Sequence, residues 1–139
     1  MSANPKTITI TVERLLAATP EQAFDAWLDP AVPGTPWNMA EKLILDARED
    51  GLFYWQVHGT PHYGRFTEVV RGHLLRHTWM SPYTSGLESM VGVTFQPTAG
   101  GTRMTLVHSG LPDSDGGRSH DKGWNFFLDG FSQGFARAA

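Results

Sequence analysis

The sequence predicts an α+β fold: a curved antiparallel sheet of about six or seven strands wrapped around one long C-terminal helix, with a short helical segment after the first strand. Two observations carry that prediction. Between residues 42 and 109 the chain breaks into short runs of alternating apolar and polar residues, separated by compact turn signals, the pattern of consecutive antiparallel strands. After residue 115 the spacing changes to that of a helix. With Trp124 at zero on a wheel of 100° per residue, Phe127, Leu128, Phe131 and Phe135 fall within about 60° of it and His120 within about 40°. A stripe of rings that heavy has to lie against an apolar surface, and a sheet is the surface on offer.

Taken in order, residues 1–6 read as a flexible tail and residues 7–14 alternate Thr with Ile and Val as a half-buried strand does. Thr19-Pro20-Glu21-Gln22 is a helix start: a Thr cap, Pro at the first helical position and Gln placed to complete a capping box. Phe24, Trp27 and Leu28 share one face of that helix, and Asp29-Pro30 ends it. Residues 30–40 form a Pro- and Gly-rich loop with one large ring, Trp37, which serves either as a tether to the core or as a lid over an opening. Strands are expected over 42–47, 52–58, 62–70, 74–80, 87–96 and 102–109, with turns at Glu49-Asp50-Gly51, Gly59-Thr60-Pro61, Arg71-Gly72 and Ala99-Gly100-Gly101. Gly110-Leu111-Pro112 reads as a turn, followed by a polar loop, with His120 to Trp124 opening the last helix.

Side-chain alternation then assigns an inner face. Leu75, His77 and Trp79 point inward because Arg76 lies at the opposite parity. The same logic turns Phe53, Trp55 and Val57 inward, then Val91, Val93 and Phe95, then Met104, Leu106 and His108. Residues 62–70 resist a single assignment, since Phe66 and Val69 have opposite parity, so a β-bulge is expected and the face of Glu68 stays open.

The chain has 139 residues, enough for one domain over 1–139 with a good core. It has no cysteine, which removes disulfides, thiolate metal sites and thiol catalysis. Lys and Arg are scattered and the net charge is -3, so no nucleic-acid surface is expected. No window reads as a membrane span or signal segment, and the cytoplasm is the expected location. His58 and His62 stand four apart, but across a hairpin turn rather than on one helix face, so neither a metal nor another cofactor is predicted. There is no Gly-x-Ser-x-Gly elbow, and no catalytic residue is assigned.

The run Thr102-x-Met104-Thr105-Leu106-x-His108-Ser109-Gly110-Leu111-Pro112, followed by His120-x-x-Gly123-Trp124, resembles the family related to activators of the ninety-kilodalton heat-shock chaperone ATPase. That family belongs to the START-like (SRPBCC, helix-grip) superfamily. Gly64-Arg65-Phe66-Thr67-Glu68-Val69, Leu75-Arg76-His77-Thr78-Trp79 and the segment Thr19 to Trp27 are similar to its strands and first helix, so the likeness spans roughly residues 7–136. The resemblance implies the helix-grip fold. At His77 the chain departs from it, because the family pattern has an apolar ring there.

Rings and imidazoles facing one another between sheet and last helix suggest a cavity for a small apolar or aromatic ligand. The residues expected to line it are Trp37, Phe53, Trp55, His77, Trp79, Val93, Phe95, Met104, Leu106, His108, His120, Trp124, Phe127, Leu128 and Phe131. A plain core with each buried histidine satisfied by a neighbouring hydroxyl or carbonyl is the competing reading. The resemblance adds two alternatives: a partner protein of the chaperone, and an aromatase- or cyclase-type enzyme using a pocket histidine. Gly123, Gly130 and Gly134 line up beside the stripe and predict close backbone approach to the sheet or a second chain. With Phe126 facing outward beside them, a homodimer is a further expectation.

Overall fold

The computed structural model describes residues 6–138; the tail expected over residues 1–6 falls almost wholly outside them. Strand β1 (Thr7–Leu16) leads to helix α1 (Pro20–Trp27), whose Thr19 cap and Gln22 form the reciprocal capping box that the sequence predicts. A 3-10 turn (Pro36–Met39) and strands β2 (Lys42–Leu45), β3 (Leu52–Val57), β4 (Thr60–Val70) and β5 (Leu74–Trp79) follow. A second 3-10 turn (Pro82–Thr84), strands β6 (Ser89–Thr98) and β7 (Gly101–Pro112), and the long helix α2 (Asp115–Ala138) complete the chain. All seven strands pair antiparallel in the order β1-β7-β6-β5-β4-β3-β2. Chain order and sheet order thus coincide from β2 to β7, and β1 closes the far edge beside β7. This is an α+β helix-grip arrangement.

Several boundaries differ from expectation, each for a local reason. The β3–β4 turn is the pair His58-Gly59, both at positive φ (50° and 75°), and Val57 pairs with Thr60. That two-residue turn twists as the strands do, so Thr60 and Pro61 belong to β4 and not to a turn. Gly110-Leu111-Pro112 is likewise strand: Leu111 pairs with Ile8 and is fully buried. Between the pairs Ile8↔Leu111 and Ile10↔His108, β7 carries one extra residue, and Gly110 at φ 74° absorbs it as a bulge. Helix α2 starts at Asp115, five residues ahead of His120. The Ser114 hydroxyl accepts the Gly117 N–H at 3.1 Å, and Asp115 suits the positive end of the helix. Gly116-Gly117 hides that start in the sequence.

The expected bulge in β4 is present: Phe66 pairs with His77 and Glu68 with Arg76, so two steps on β4 answer one on β5. Glu68 faces outward, 3.9 Å from Arg76. The inner face is as parity predicts, with Leu75, His77, Trp79, Phe53, Trp55, Val91, Val93, Phe95, Met104, Leu106 and His108 buried and Val57, at the end of β3, half-buried against the core. Helix α2 is fastened along β1 as well as by its rings: Arg14 donates to Asp129 at 2.9 Å and to Asn125 at 2.8 Å.

Of the three aligned glycines, Gly130 alone makes a close approach, and its neighbour is a loop. A Cβ on Gly130 would lie 3.4 Å from the Cα of Gly34, whose φ is 94°. Gly123 and Gly134 have open space where a Cβ would stand. Phe126 is 65% exposed, facing out as predicted.

Candidate functional site

All five tryptophans are buried and touch in a closed circuit. Trp27 meets Trp37 at 5.8 Å between ring centroids, and Trp37 meets Trp55 at 5.6 Å. Trp55 meets Trp79 at 5.7 Å, Trp79 meets Trp124 at 5.2 Å, and Trp124 returns to Trp27 at 6.4 Å. Most contacts are edge-on or tilted, the arrangement ring quadrupoles favour. Trp37 sits on its 3-10 turn, capped by Thr35, and is 2% exposed. It is wedged against Trp27, Phe53 and Trp55, so it tethers the loop and covers no opening.

The circuit is solid over most of its extent and opens at one end. There a pocket of about 140 Å³ is bounded by Trp55 of β3, His62 of β4 and Trp79 of β5. Tyr83 of the second 3-10 turn and Ser119, His120, Gly123, Trp124 and Phe127 of α2 complete the wall. Cross-strand pairing sets Trp55 opposite His62, and on α2 the positions His120, Gly123, Trp124 and Phe127 fall on one helical face. Tyr83 is 50% exposed, so the pocket reaches the surface beside it. Gly123 has no side chain to fill the mouth.

The polar atoms around the pocket form two hydrogen-bonded chains. The Trp124 indole donates to His108 Nδ1 at 3.0 Å. His108 Nε2–H then donates to Ser89 Oγ at 2.8 Å, and the Ser89 hydroxyl donates to the Trp79 carbonyl at 2.6 Å. In the second chain the Trp79 indole donates to His120 Nε2 at 3.3 Å, and His120 Nδ1–H is shared by the carbonyls of Gly116 and Gly117 at 3.0 and 3.1 Å. Each indole needs an acceptor, so each imidazole is fixed in one neutral tautomer. His62 Nδ1 donates to the Trp55 carbonyl at 3.0 Å. His77 lies apart, stacked on Phe53 at 4.4 Å, with Nδ1 donating to the Thr78 carbonyl at 2.9 Å. Among the described residues, two buried side-chain polar atoms lack a partner: the indole N–H groups of Trp37 and Trp55. Both lie among ring faces, the weak acceptors available there.

Burial sets the electrostatics. Loss of hydration pushes His62 and His77 down to about 4, and His108 to about 2, where the neighbouring His120 and His77 add repulsion. His120 is also lowered by burial, opposed by its two backbone carbonyls. All four imidazoles are neutral near pH 7. Among the described residues no group of three or more His, Asp or Glu side chains is placed to hold a metal ion, and no helix is long and apolar enough to cross a membrane.

Of the residues that the sequence suggests for a cavity, Trp55, Trp79, His120, Trp124 and Phe127 line the pocket. His108 stands directly behind it, bonded to Trp124. Trp37, Phe53, His77, Val93, Phe95, Met104, Leu106, Leu128 and Phe131 are buried away from its wall, packed in the core. Sequence reasoning missed His62, Tyr83, Ser119 and Gly123 in the wall and Trp27 in the circuit. His62 was within reach: it shares parity with Phe66, and starting β4 two residues earlier would have set it across from Trp55.

No curated protein matches the sequence. Among solved structures the chain is similar to protein CV1439 from Chromobacterium violaceum, at 28% identity and TM-score 0.72 over 91% of this chain and 96% of that one. It is also similar to DynU16, a protein of the dynemicin biosynthetic locus, at 20% identity and TM-score 0.75 over 90% of this chain and 46% of that one. The solution structure of the Aha1 dimer from Colwellia psychrerythraea matches at 12% identity and TM-score 0.74, over 92% and 96% of the two chains. The last two likenesses are of fold alone. Residues 17–136, nearly the whole chain, match the family described as Activator of Hsp90 ATPase homolog 1-like protein, and the chain belongs to that family.

Proposed function

We propose that the protein binds a small apolar or aromatic molecule in the pocket between the β3–β5 strands and α2. The observation that carries this reading is the unfilled space of about 140 Å³ where Trp55, Trp79 and Trp124 meet, reaching the surface beside Tyr83. A wall of rings with unoccupied space forfeits dispersion contacts that a solid core would make. The size bounds the ligand. A cavity of about 150 Å³ accepts benzene, whereas pockets for drug-sized molecules run to about 300–1,000 Å³. One aromatic ring or a short branched chain fits inside; anything larger extends past Tyr83 into solvent. Three of the five tryptophans line the space, so filling it should change the intrinsic fluorescence. A ligand at a hundredfold excess over its Kd stabilises the fold by about 2.7 kcal/mol. Thermal shift and fluorescence titration with single-ring aromatics test the proposal; no response at millimolar probe would overturn it.

Family membership favours a second reading, association with an Hsp90-type chaperone. Its test is the chaperone's ATPase rate with and without this protein, and an unchanged rate would remove it. A cyclase-type role finds less support: His108 and His120 have both ring nitrogens engaged, and His62, the remaining histidine of the wall, is made a weak base by burial, which lowers its pKa to about 4.

A further inference from the structure

We infer that the pocket selects a neutral single-ring aromatic bearing a hydrogen-bond donor, a phenol being the simplest case, whose O–H is received by Nε2 of His62. The inference rests on the ligand-binding reading above and deepens it. It follows from an inventory of what the wall can still offer. The Trp79 indole is spent on His120 Nε2 and the Trp124 indole on His108 Nδ1. The His120 Nδ1 proton is spent on the carbonyls of Gly116 and Gly117, and the Ser119 hydroxyl donates to Gly116 at 2.6 Å. The Trp55 N–H has no accessible surface. Inside the pocket no donor remains for a ligand; the Tyr83 hydroxyl stands at the rim.

Two acceptors remain: the oxygen of Ser119, which keeps its lone pairs but belongs to an exposed residue, and Nε2 of the buried His62. His62 Nδ1 carries the proton that the Trp55 carbonyl receives, so Nε2 is the unprotonated nitrogen of a neutral imidazole. The one hydrogen bond that the ring forms within ordinary distance among the described residues is the one from Nδ1; the Thr60 backbone also faces the ring as an acceptor, and His62 is part of the pocket wall. Its ring lies 4.6 Å from Trp55 and 4.8 Å from Trp79 between centroids, so the lone pair is presented by a ring that cannot swing away. Burial holds this imidazole neutral at pH 7.

Charge excludes the other common ligand classes. No Lys, Arg, Asp or Glu lines the pocket. A carboxylate would enter without a cation and face a lone pair; an ammonium would shed its hydration without an anion. The ring faces offer a quaternary ammonium a cation–π contact, but that contact makes no use of Nε2.

The test compares five probes of one-ring size or smaller on the whole protein by calorimetry: p-cresol, toluene, 4-methylanisole, 4-methylbenzoate and tetramethylammonium. A net hydrogen bond is worth about threefold to tenfold in Kd, so p-cresol should bind that much more tightly than toluene and 4-methylanisole. The other two should bind more weakly than toluene. The ¹⁵N resonance of His62 Nε2 should move with p-cresol and stay with toluene, a signature read on the unmutated chain. His62→Phe keeps a ring between Trp55 and Trp79 and should reduce the p-cresol preference to about one while toluene still binds. Equal binding of p-cresol and toluene, or an unmoved Nε2 resonance, overturns the inference and leaves the pocket reading standing. Preference for 4-methylbenzoate or tetramethylammonium overturns the neutral class. Binding of none of the five overturns both.

Discussion

His77→Phe should weaken the pH dependence of folding by a calculable amount. His77 is 1% exposed, enclosed by the rings of Phe53, Phe66 and Trp79, and burial lowers its pKa from 6.5 to about 4. The folded state therefore keeps the imidazole neutral over a range where the unfolded chain protonates it. With more protons bound by the unfolded state, stability falls as pH drops below 6.5 and stops falling below about 4. One pKa unit is worth about 1.36 kcal/mol, so at pH 5 this group alone costs about 2 kcal/mol relative to pH 7. His62 and His108 are lowered as far or further, so the three together remove about 6 kcal/mol by pH 5. A total stability of about 5–15 kcal/mol is usual, so the wild type should approach acid unfolding near that pH. In His77→Phe the slope should be shallower by about 1.1 kcal/mol per unit between pH 6 and 4.5. The variant also removes the donor to the Thr78 carbonyl, which shifts its stability equally at every pH and leaves the slope untouched. Urea unfolding followed by far-UV circular dichroism at pH 7, 6 and 5 measures the difference. Parallel curves for the two proteins would refute the claim that His77 is buried neutral.

Two further outcomes follow from the packing. Gly34→Ala should cost about 1–3 kcal/mol: its φ is 94°, and a Cβ there would stand 2.7 Å from the backbone of Gly130 and Phe131. The reciprocal Gly130→Ala meets Gly34 at 3.4 Å, a contact that roughly offsets the helix-propensity gain of about 1 kcal/mol, so its melting temperature should barely move. Equal losses in the two variants would show that the loop does not bear on α2 as described. Phe126→Ser should change stability by no more than about 0.5 kcal/mol, since the ring is 65% exposed. A larger loss that grows with protein concentration, with a dimer in sedimentation of the wild type, would place a second copy over that face.

Much of the fold was legible because its signals are local. The capping box at Thr19 and Gln22, the period-two strands and the ring stripe of α2 need no tertiary context. The bulge in β4 was legible too, as a parity conflict between Phe66 and Val69 that no straight strand satisfies. What failed were boundaries where glycine carries two meanings. Gly110 looks like a turn, yet β7 runs through it as a bulge, and Gly116-Gly117 looks like a loop, yet it opens α2.

The site was harder to read because a wall and a core use the same residues. Parity places Phe53, Trp55, His77 and Trp79 on one face, but cannot say that Phe53 and His77 stack on each other while Trp55 and Trp79 border empty space. That distinction is set by the 3-10 turn that drives Trp37 into the circuit and by the missing side chain at Gly123. Polarity sharpens it. His108 and His120 accept the N–H groups of Trp124 and Trp79, which would otherwise be buried without acceptors at a cost of about 1–3 kcal/mol each. They are structural groups that happen to stand near a pocket. His62, like the core residue His77, pairs Nδ1 with a backbone carbonyl; what distinguishes His62 is that its ring stands in the pocket wall. The sequence reading sets it at the start of a strand, just past the turn and with no face assigned, and at the pocket it is the histidine with a ring nitrogen not hydrogen-bonded within ordinary distance to a neighbouring side chain or carbonyl among the described residues.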